Sequence, residues 1–269
     1  DGERERIALI EVSPTDRDAL EVALQGVRVD AIVSCLASRS GAPADSEAVD
    51  YRANSHLLAW GRGHGVDHFT LLSAICVQKP RLAFQHAKRR FEEELAASGM
   101  SHSVVRPTAF FKSLSGQLRR VRRGKPFLLF GDGELTRCKP IAEADLACYL
   151  RLTLEDTTLR GMLPIGGPGP AITPLEQAAL LVRICDRPLR TRSVNPALLL
   201  GVARGLDLAA RLKPALADKA EFARTGHYYA TESMLLWDEA AGRYDADATP
   251  EFGEITLEDS YRAQLEGRE

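Results

Sequence analysis

Cysteine is scarce in this sequence, and its five cysteines do not form a pattern that binds metal or builds a disulfide framework. Their number is odd, they are widely separated, and no Cys-x-x-Cys pair or histidine at zinc-ligand spacing accompanies them. These absences exclude a zinc module and a small disulfide-stapled domain. They predict a reducing, cytoplasm-like compartment and no bound metal.

A large net charge and a long apolar run are also missing. Lysine and arginine number 35 against 37 aspartates and glutamates, so no global field attracts nucleic acid or an anionic membrane. No apolar run approaches the ~20 residues that cross a bilayer, and the opening DGERERIALIEV does not have the apolar core of a signal peptide. We therefore expect no nucleic-acid partner and no integral membrane segment.

What the sequence does contain is a regular alternation of two patterns. Short runs of apolar, β-branched residues alternate with longer segments of helical period, which is typical of a parallel sheet wrapped by helices. The predicted strands are residues 7–12, 30–36, 67–72, 102–106 and 162–166, and the predicted helices are residues 16–25, 47–63, 81–98, 111–123 and 143–155. We expect an α/β, Rossmann-like domain at 1–160 and a small C-terminal substrate-binding region at 161–269.

Capping signals predict further helices in the C-terminal region. Thr173 and Glu176 have the spacing of a capping box around Pro174, and Asn195-Pro196 has the character of a second helix start. That second helix has one apolar face, which we expect to pack on the core: Leu198, Val202, Leu206 and Ala209. From residue 227 onward turn residues predominate, which predicts an extended arm before a last short helix.

The candidate binding residues follow the strands, because ligands of an open parallel sheet bind beyond the carboxyl ends of its strands. Phe84-Gln85-His86-Ala87-Lys88 begins eleven residues after the strand-end residue Ser73. In a purely structural interpretation Phe84 belongs to an apolar helix stripe and Lys88 is exposed. The predicted cofactor-binding residues are Ala37, Ser38, Ser73, Ala74, Lys88, Pro107, Thr108 and Phe110.

These segments resemble the short-chain dehydrogenase/reductase superfamily, in which a Ser is followed by Tyr-x-x-x-Lys on a helix. Arg106-Pro107 is similar to its strand end near the nicotinamide, and GDGELTRCKPIAEADLA (131–147) is similar to its Gly-Asp-Gly turn and following helix start. The resemblance implies an NADPH-binding Rossmann-like fold in which Lys88 orients the nicotinamide ribose. Phe84 stands where the superfamily has its tyrosine general acid.

Longer runs resemble one atypical, NmrA-like family of this superfamily, the divinyl chlorophyllide 8-vinyl reductases. These runs are SAICVQKP (73–80), RPTAFFKSLSGQ (106–117) and YYATESML (228–235). The resemblance implies NADPH-dependent reduction of the C8 vinyl group of divinyl chlorophyllide or protochlorophyllide to ethyl, in (bacterio)chlorophyll biosynthesis. It also implies a tetrapyrrole substrate, peripheral contact with a membrane, and a bacterial cytoplasm or a chloroplast.

Reduction of a vinyl group conjugated to a ring forms no alkoxide, so a tyrosine at position 84 is not required. Lys88 and Tyr51 are the predicted catalytic residues, with Tyr51 as a candidate proton donor or, at least equally, a helix tyrosine that caps the pocket or the surface. Predicted apolar walls are Phe110, Phe111 and the helix at 196–213. Lys112 or Arg137 could bind a propionate, or both could be ordinary surface charges.

A glycine-rich turn between a first strand and helix, which would bind a pyrophosphate, is absent from the sequence. The first predicted strand, IALIEV (7–12), resembles a third strand of such a sheet. We therefore expect an N-terminally shortened piece, lacking roughly 50–80 residues of the usual layout, that binds NADPH weakly or not at all. Two other functions remain open: a non-catalytic NADP-sensing regulator, and an atypical reductase with a different aromatic or quinone-like substrate.

Overall fold

The computed structural model describes residues 7–185 and 190–267. The strands are β1 (Ala31–Ser34), β2 (His68–Leu72), β3 (Ser101–Pro107), β4 (Phe127–Phe130), β5 (Gly161–Ile165), β6 (Thr191–Val194), β7 (Leu236–Asp238) and β8 (Arg243–Asp245). The α-helices are α1 (Arg17–Ala23), α2 (Pro43–Asp45), α3 (Asn54–Gly63), α4 (Ala83–Ala97), α5 (Phe111–Arg122), α6 (Glu143–Glu155), α7 (Pro174–Cys185), α8 (Ala197–Ala210), α9 (Leu216–Thr231) and α10 (Leu257–Glu266). A π-helix spans Ser46–Ala53, and a 3-10 helix spans Ile75–Gln78.

The main sheet is parallel and has the order β1-β2-β3-β5 among the described strands. Helices cover both of its faces, as adjacent residues of β3 show, since neighbouring side chains of a strand point to opposite faces. Val104 packs with Phe91 of α4, whereas Val105 packs with Leu150 of α6. The predicted Rossmann-like fold class is therefore confirmed.

Four of the five predicted strands are present within two residues of their predicted ends, as are four of the five predicted helices of this half. The helix predicted at 47–63 is a continuous run of α2, the π-helix and α3 that begins earlier, at Pro43. The strand predicted at 7–12 is wrong, because these residues have no regular structure and Leu9 is 93% exposed. A strand needs a hydrogen-bonding neighbour, and no described strand lies beside this segment. β1 consequently forms one edge of the described sheet.

The C-terminal region contains a parallel pair, β4 and β6, and an antiparallel pair, β7 and β8. The capping box that begins α7 is confirmed, since the Glu176 amide donates to Thr173 Oγ1 at 3.1 Å and Glu176 Oε2 accepts from the Thr173 amide at 2.7 Å. The extended arm begins after α9 ends at Thr231, slightly later than predicted. The division at residue 160 stays a prediction, and β5 joins the main sheet.

The orientation predicted for α8 is wrong for two of its apolar residues. Leu198 and Val202 are exposed, whereas Ala203 is buried and Leu199 approaches Gly226 of α9. Helical period identifies an apolar face but not the element that covers it. None of the described helices is both long and apolar enough to cross a membrane.

A buried histidine on β2 contacts two serines of the neighbouring strand β3. His68 of β2 lies with Nδ1 2.9 Å from Ser101 Oγ and Nε2 3.1 Å from Ser103 Oγ. Burial, and then the charges of Arg160 and His102, lower the pKa of His68 to about 4. The folded state therefore favours the neutral imidazole.

We predict that acidification destabilises the protein through His68. Because the folded pKa of about 4 lies below the unfolded value of about 6.5, its contribution is complete above pH ~6.5 and is lost as pH falls toward 4. Urea unfolding should show a loss of about 2 kcal/mol between pH 7 and pH 5 that His68→Asn removes. The exposed-site control His86→Asn should keep the pH dependence. An unchanged dependence in His68→Asn would contradict the assignment.

Candidate functional site

A cleft of about 690 Å³ opens at the carboxyl ends of β1, β2 and β3. This is where an open parallel sheet binds its ligands. A second groove, of about 540 Å³, lies on the outer side of α4 among charged residues and away from the strand ends. All the predicted cofactor-binding residues line the first cleft: Ala37, Ser38, Ser73, Ala74, Lys88, Pro107, Thr108 and Phe110.

Lys88 is buried, and its charge is neutralised within the cleft. Its Nζ lies 3.1 Å from Asp50 Oδ1 and donates to the Leu36 carbonyl at 3.3 Å. The same Asp50 oxygen accepts from the Ser38 amide at 3.3 Å. The interpretation of Lys88 as an exposed helical lysine is therefore wrong, since the residue is 6% exposed.

The π-helix at Ser46–Ala53 places Asp50 beside this lysine. Asn54 stabilises the widened turn, because its amide donates to the carbonyls of Val49 and Asp50 at 3.3 and 3.1 Å. Asn54 is itself held by the Ser34 hydroxyl at 2.5 Å. Such π-turns occur frequently at functional sites. Asp50 was missed from the sequence, although two polar residues four positions apart, Asp50 and Asn54, indicate a polar stripe on this helix.

Tyr51 lies outside the cleft, next in sequence to Asp50. Its ring is 3.3 Å from the guanidinium carbon of Arg90, and it packs beside the hydrophobic cluster that contains Leu58. Tyr51 is therefore not positioned as a proton donor, and the alternative interpretation, a tyrosine on the helix surface, describes its place. The prediction named Tyr51, one residue away from the residue at the cleft, because the π-turn brings Asp50 to the cleft side.

A second buried ion pair supports the floor of the cleft. Glu92 lies one turn after Lys88 on α4, and Arg106 Nε of β3 donates to its Oε1 at 3.1 Å. Ser73 also donates its hydroxyl to Glu92. The Ser73 hydroxyl is therefore engaged with a carboxylate rather than free in the cleft. Glu92 was missed from the sequence, and its i,i+4 spacing from Lys88 is the signal that could have identified it.

The walls of the cleft are largely apolar and come from several elements. Phe84 and Phe110 line it, and α9 contributes Phe222 and Tyr229. Two predicted walls are wrong: Phe111 is buried in a separate cluster with Leu118 and Phe127, and no residue of the 196–213 helix lines the cleft. Helix α8 packs against α9, and it is α9 whose residues reach the cleft.

The two cations proposed for a propionate lie in different places. Arg137 lines the cleft, and its backbone amide donates to Ser233 Oγ at 3.0 Å. Lys112 is exposed at the start of α5, where its backbone amide contacts Glu143. Of these two cations, Arg137 is therefore the one that an acidic substituent of a ligand in the cleft can reach.

Tyr229 brings a phenol to the cleft wall. The residue lines the cleft and is 47% exposed, and its hydroxyl lies near Cys76. Burial of the hydroxyl, and then the neighbouring Cys76, raise the pKa of Tyr229 well above its usual value. The phenol therefore retains its proton throughout the neutral range. Sequence reasoning named the run that contains Tyr229 but assigned it no role.

Comparison with known proteins identifies the fold family. Residues 1–150 match the family described as NAD(P)H-binding. The chain belongs to this family. The match covers the half of the chain that contains Lys88, Asp50 and the strand ends.

Curated relatives of this family member are reductases. The chain is 48% identical over 257 residues to the chloroplastic divinyl chlorophyllide a 8-vinyl-reductase of Cucumis sativus, covering 92% of this chain and 61% of the relative. Against the protein of the same name from Zea mays it is 51% identical, covering 87% and 60%. The chain thus spans about three fifths of these relatives. It is 32% identical to the (4-alkanoyl-5-oxo-2,5-dihydrofuran-3-yl)methyl phosphate reductase of Streptomyces griseus, covering 78% of this chain and 70% of the relative.

Solved structures support the fold of the family. An NADPH-dependent quinone oxidoreductase from Escherichia coli, complexed with NADPH, superposes with a TM-score of 0.66 at 16% identity, covering 98% of this chain and 85% of that one. A nucleoside-diphosphate-sugar epimerase from Staphylococcus aureus gives a TM-score of 0.64 at 15% identity, covering 97% and 86%. At these identities the likeness concerns the fold alone.

We predict strong energetic coupling between Asp50 and Lys88. Lys88→Met should lower the free energy of unfolding by about 3 kcal/mol or more, because it leaves the buried Asp50 carboxylate unpaired. The double variant Asp50→Asn/Lys88→Met should recover most of this loss in urea unfolding.

Arg89→Met provides the matched control for this cycle. Arg89 belongs to the same helix and pairs with Glu93 at 3.0 Å on the exposed surface, so its loss should cost less than about 1 kcal/mol. Strictly additive effects of the Asp50 and Lys88 substitutions would contradict a coupled buried pair.

Proposed function

We propose that this chain forms part of an NADPH-dependent reductase that converts the C8 vinyl group of divinyl chlorophyllide, or of its protochlorophyllide counterpart, to ethyl. The observation that carries the proposal is the composition of the cleft at the strand ends. It contains the buried Lys88, but Phe84 stands at the position where reduction of a carbonyl would need an acid to protonate the oxyanion. The 48–51% identity to reductases with this named activity supports the choice of substrate. The reaction would belong to (bacterio)chlorophyll biosynthesis, in a bacterial cytoplasm or a chloroplast.

The residues at the strand ends fit a nicotinamide cofactor. Asp50 is 1% exposed, and its Oδ2 has no hydrogen-bond donor among the described residues. A ribose hydroxyl would supply the missing donor, while Lys88 would bind the same sugar. Ala37 and Ser38 are small enough to let a flat ligand approach the backbone. When bound, NADPH would supply a hydride.

The reaction chemistry agrees with the absence of a tyrosine at position 84. Reduction of a conjugated vinyl group places negative charge on carbon and delocalises it over the macrocycle, so no alkoxide has to be protonated. Phe84 instead extends the apolar wall of the cleft. An apolar wall with a few polar groups suits a flat tetrapyrrole, and Arg137 is available for its carboxylate.

We propose Tyr229, in place of Tyr51, as the proton donor to the reduced carbon. Tyr229 is the tyrosine among the described cleft residues, and its raised pKa keeps the phenol protonated at neutral pH. The proton would pass from the phenol oxygen to the carbanion next to the ring, and solvent would restore it. Because the pKa is raised, this donor should not limit the rate until pH exceeds about 10.

A nucleotide sensor without catalysis is the second candidate. It is favoured by the phenylalanine at position 84 and by a lysine that already has a carboxylate partner. The Streptomyces relative, a reductase whose named substrate is an unsaturated oxo-dihydrofuran, favours a third candidate with a smaller substrate. The following assays separate these functions.

We predict that the protein expressed from its complete reading frame, given NADPH and divinyl chlorophyllide, shifts the Soret band to shorter wavelength as the vinyl conjugation is lost. Asp50→Asn/Lys88→Met should lose at least about 100-fold in rate while staying folded, because it lacks the groups that orient the ribose. Phe84→Tyr should keep the rate within about threefold. NADPH binding without any spectral shift would favour the sensor.

We predict that Tyr229→Phe lowers kcat by about 100-fold, the usual contribution of a positioned general acid. The matched variant Tyr51→Phe should stay within about twofold, because its ring lies under Arg90 outside the cleft. Dissociation constants for NADPH should be unchanged in both. Equal activity of Tyr229→Phe and the parent protein would rule out Tyr229 as the donor.

A further inference from the structure

Helix α8 turns an apolar face to solvent. Leu198, Val202 and Leu208 are 63, 54 and 64% exposed, and Leu212, just after the helix, is 93% exposed. Exposed single leucines are ordinary, but a continuous set on one helix marks an interaction site. The sequence predicts Leu198 and Val202 on the apolar face of an amphipathic helix, yet the described fold leaves both uncovered.

The exposed face is narrow and free of polar residues. At about 100° per residue, Leu198, Gly201, Val202, Gly205 and Leu208 fall within about a third of the helix circumference. The buried Ala203 lies on another side, toward α9. Ala209 falls in the same sector, so the outward face consists only of leucine, valine, glycine and alanine.

Cations flank this face. Four exposed basic residues have no ion pair among the described residues, namely Arg204, Arg211, Lys213 and Lys219. Asp207, the acid on α8 itself, is already paired with Arg224 at 2.8 Å. With Asp218 as the remaining nearby acid, the surface is locally basic although the whole chain carries a charge of -2.

The same hairpin reaches the cleft. Phe222 of α9 is 74% exposed and also lines the cleft, so the hairpin presents an exposed apolar side chain at the cleft. A ligand that enters past Phe222 would therefore pass the helix pair whose outer face is apolar and basic.

We propose that the α8–α9 hairpin docks on an anionic lipid bilayer, with the exposed leucines and valine of α8 at the boundary of headgroups and acyl chains. Arg204, Arg211 and Lys213 would bind lipid phosphates. An apolar helix face bordered by cations has this chemistry. A second copy of the chain fits less well, because a twofold interface through this face would bring its cations against themselves.

Docking of this kind would bring the cleft close to the lipid bilayer, in which an apolar tetrapyrrole substrate dissolves. That consequence rests on the proposed function, whereas the docking itself does not. The test therefore omits substrate and cofactor, so its failure is distinguishable from failure of the proposed reductase activity.

Flotation with vesicles tests the proposal on the protein expressed from its complete reading frame. We expect binding to vesicles of phosphatidylcholine that contain about 30% phosphatidylglycerol, and much weaker binding to vesicles of phosphatidylcholine alone. Leu198→Ser/Leu212→Ser should weaken binding at least about tenfold. The control Leu154→Ser/Val182→Ser removes two exposed apolar side chains on α6 and α7 and should bind like the parent protein.

The cations provide an independent arm. Arg204→Gln/Arg211→Gln should weaken binding to the anionic vesicles by roughly fivefold per cation, and added salt should weaken the parent protein similarly. Leu212→Trp should gain fluorescence that brominated lipids quench more strongly than the fluorescence of the parent protein, which comes from Trp60 and Trp237.

Three results would overturn the proposal. Absence of vesicle binding by the parent protein is the first, and equal effects of the α8 and control variants are the second. The third is a dimer in light scattering that Leu198→Ser/Leu212→Ser converts to monomer, since that assigns the face to a second copy.

Discussion

Two buried ion pairs on one side of α4 hold the cleft together. Lys88 pairs with Asp50 of the π-helix, and one turn later Glu92 pairs with Arg106 of β3. A buried charge without its partner is strongly destabilising, so both pairs restrict how α4 can lie against its neighbours. Ser73, bonded to Glu92, ties the end of β2 to the same helix. These contacts connect α4 to the π-helix, to β2 and to β3, the elements that border the cleft.

The alternation of apolar runs and helical segments predicted the sheet and its helices because those patterns are local. The strand-end residues were also predictable, since parallel strands bring their carboxyl ends to one edge. Asp50 and Glu92 were missed because their partners are distant in sequence. In the π-helix Asp50, and not the predicted Tyr51, faces the cleft. The helical period of a sequence does not reveal that a turn contains one additional residue. The face of α8 was misplaced because amphipathicity does not identify what covers a helix.

The polar and apolar parts of the cleft have different tasks in the proposed chemistry. Lys88 and the unpartnered oxygen of Asp50 suit the hydroxyls of a sugar, whereas Phe84 and Phe110 suit a flat ring. Keeping the lysine while lacking the tyrosine at position 84 is consistent with reduction at carbon, where charge spreads into the ligand. A protonated phenol on α9, far along the chain from Lys88, completes this arrangement from a different element.

The most direct measurement follows the hydrogen atoms into the product. The protein expressed from its complete reading frame is incubated with divinyl chlorophyllide and NADPH deuterated at either face of the nicotinamide C4. Mass spectrometry and NMR should find one deuterium on the terminal carbon of the new ethyl group with one of the two epimers. In D₂O with unlabelled NADPH, one deuterium should appear on the carbon next to the ring. Product without deuterium from either epimer, or no product, would contradict hydride transfer in this cleft.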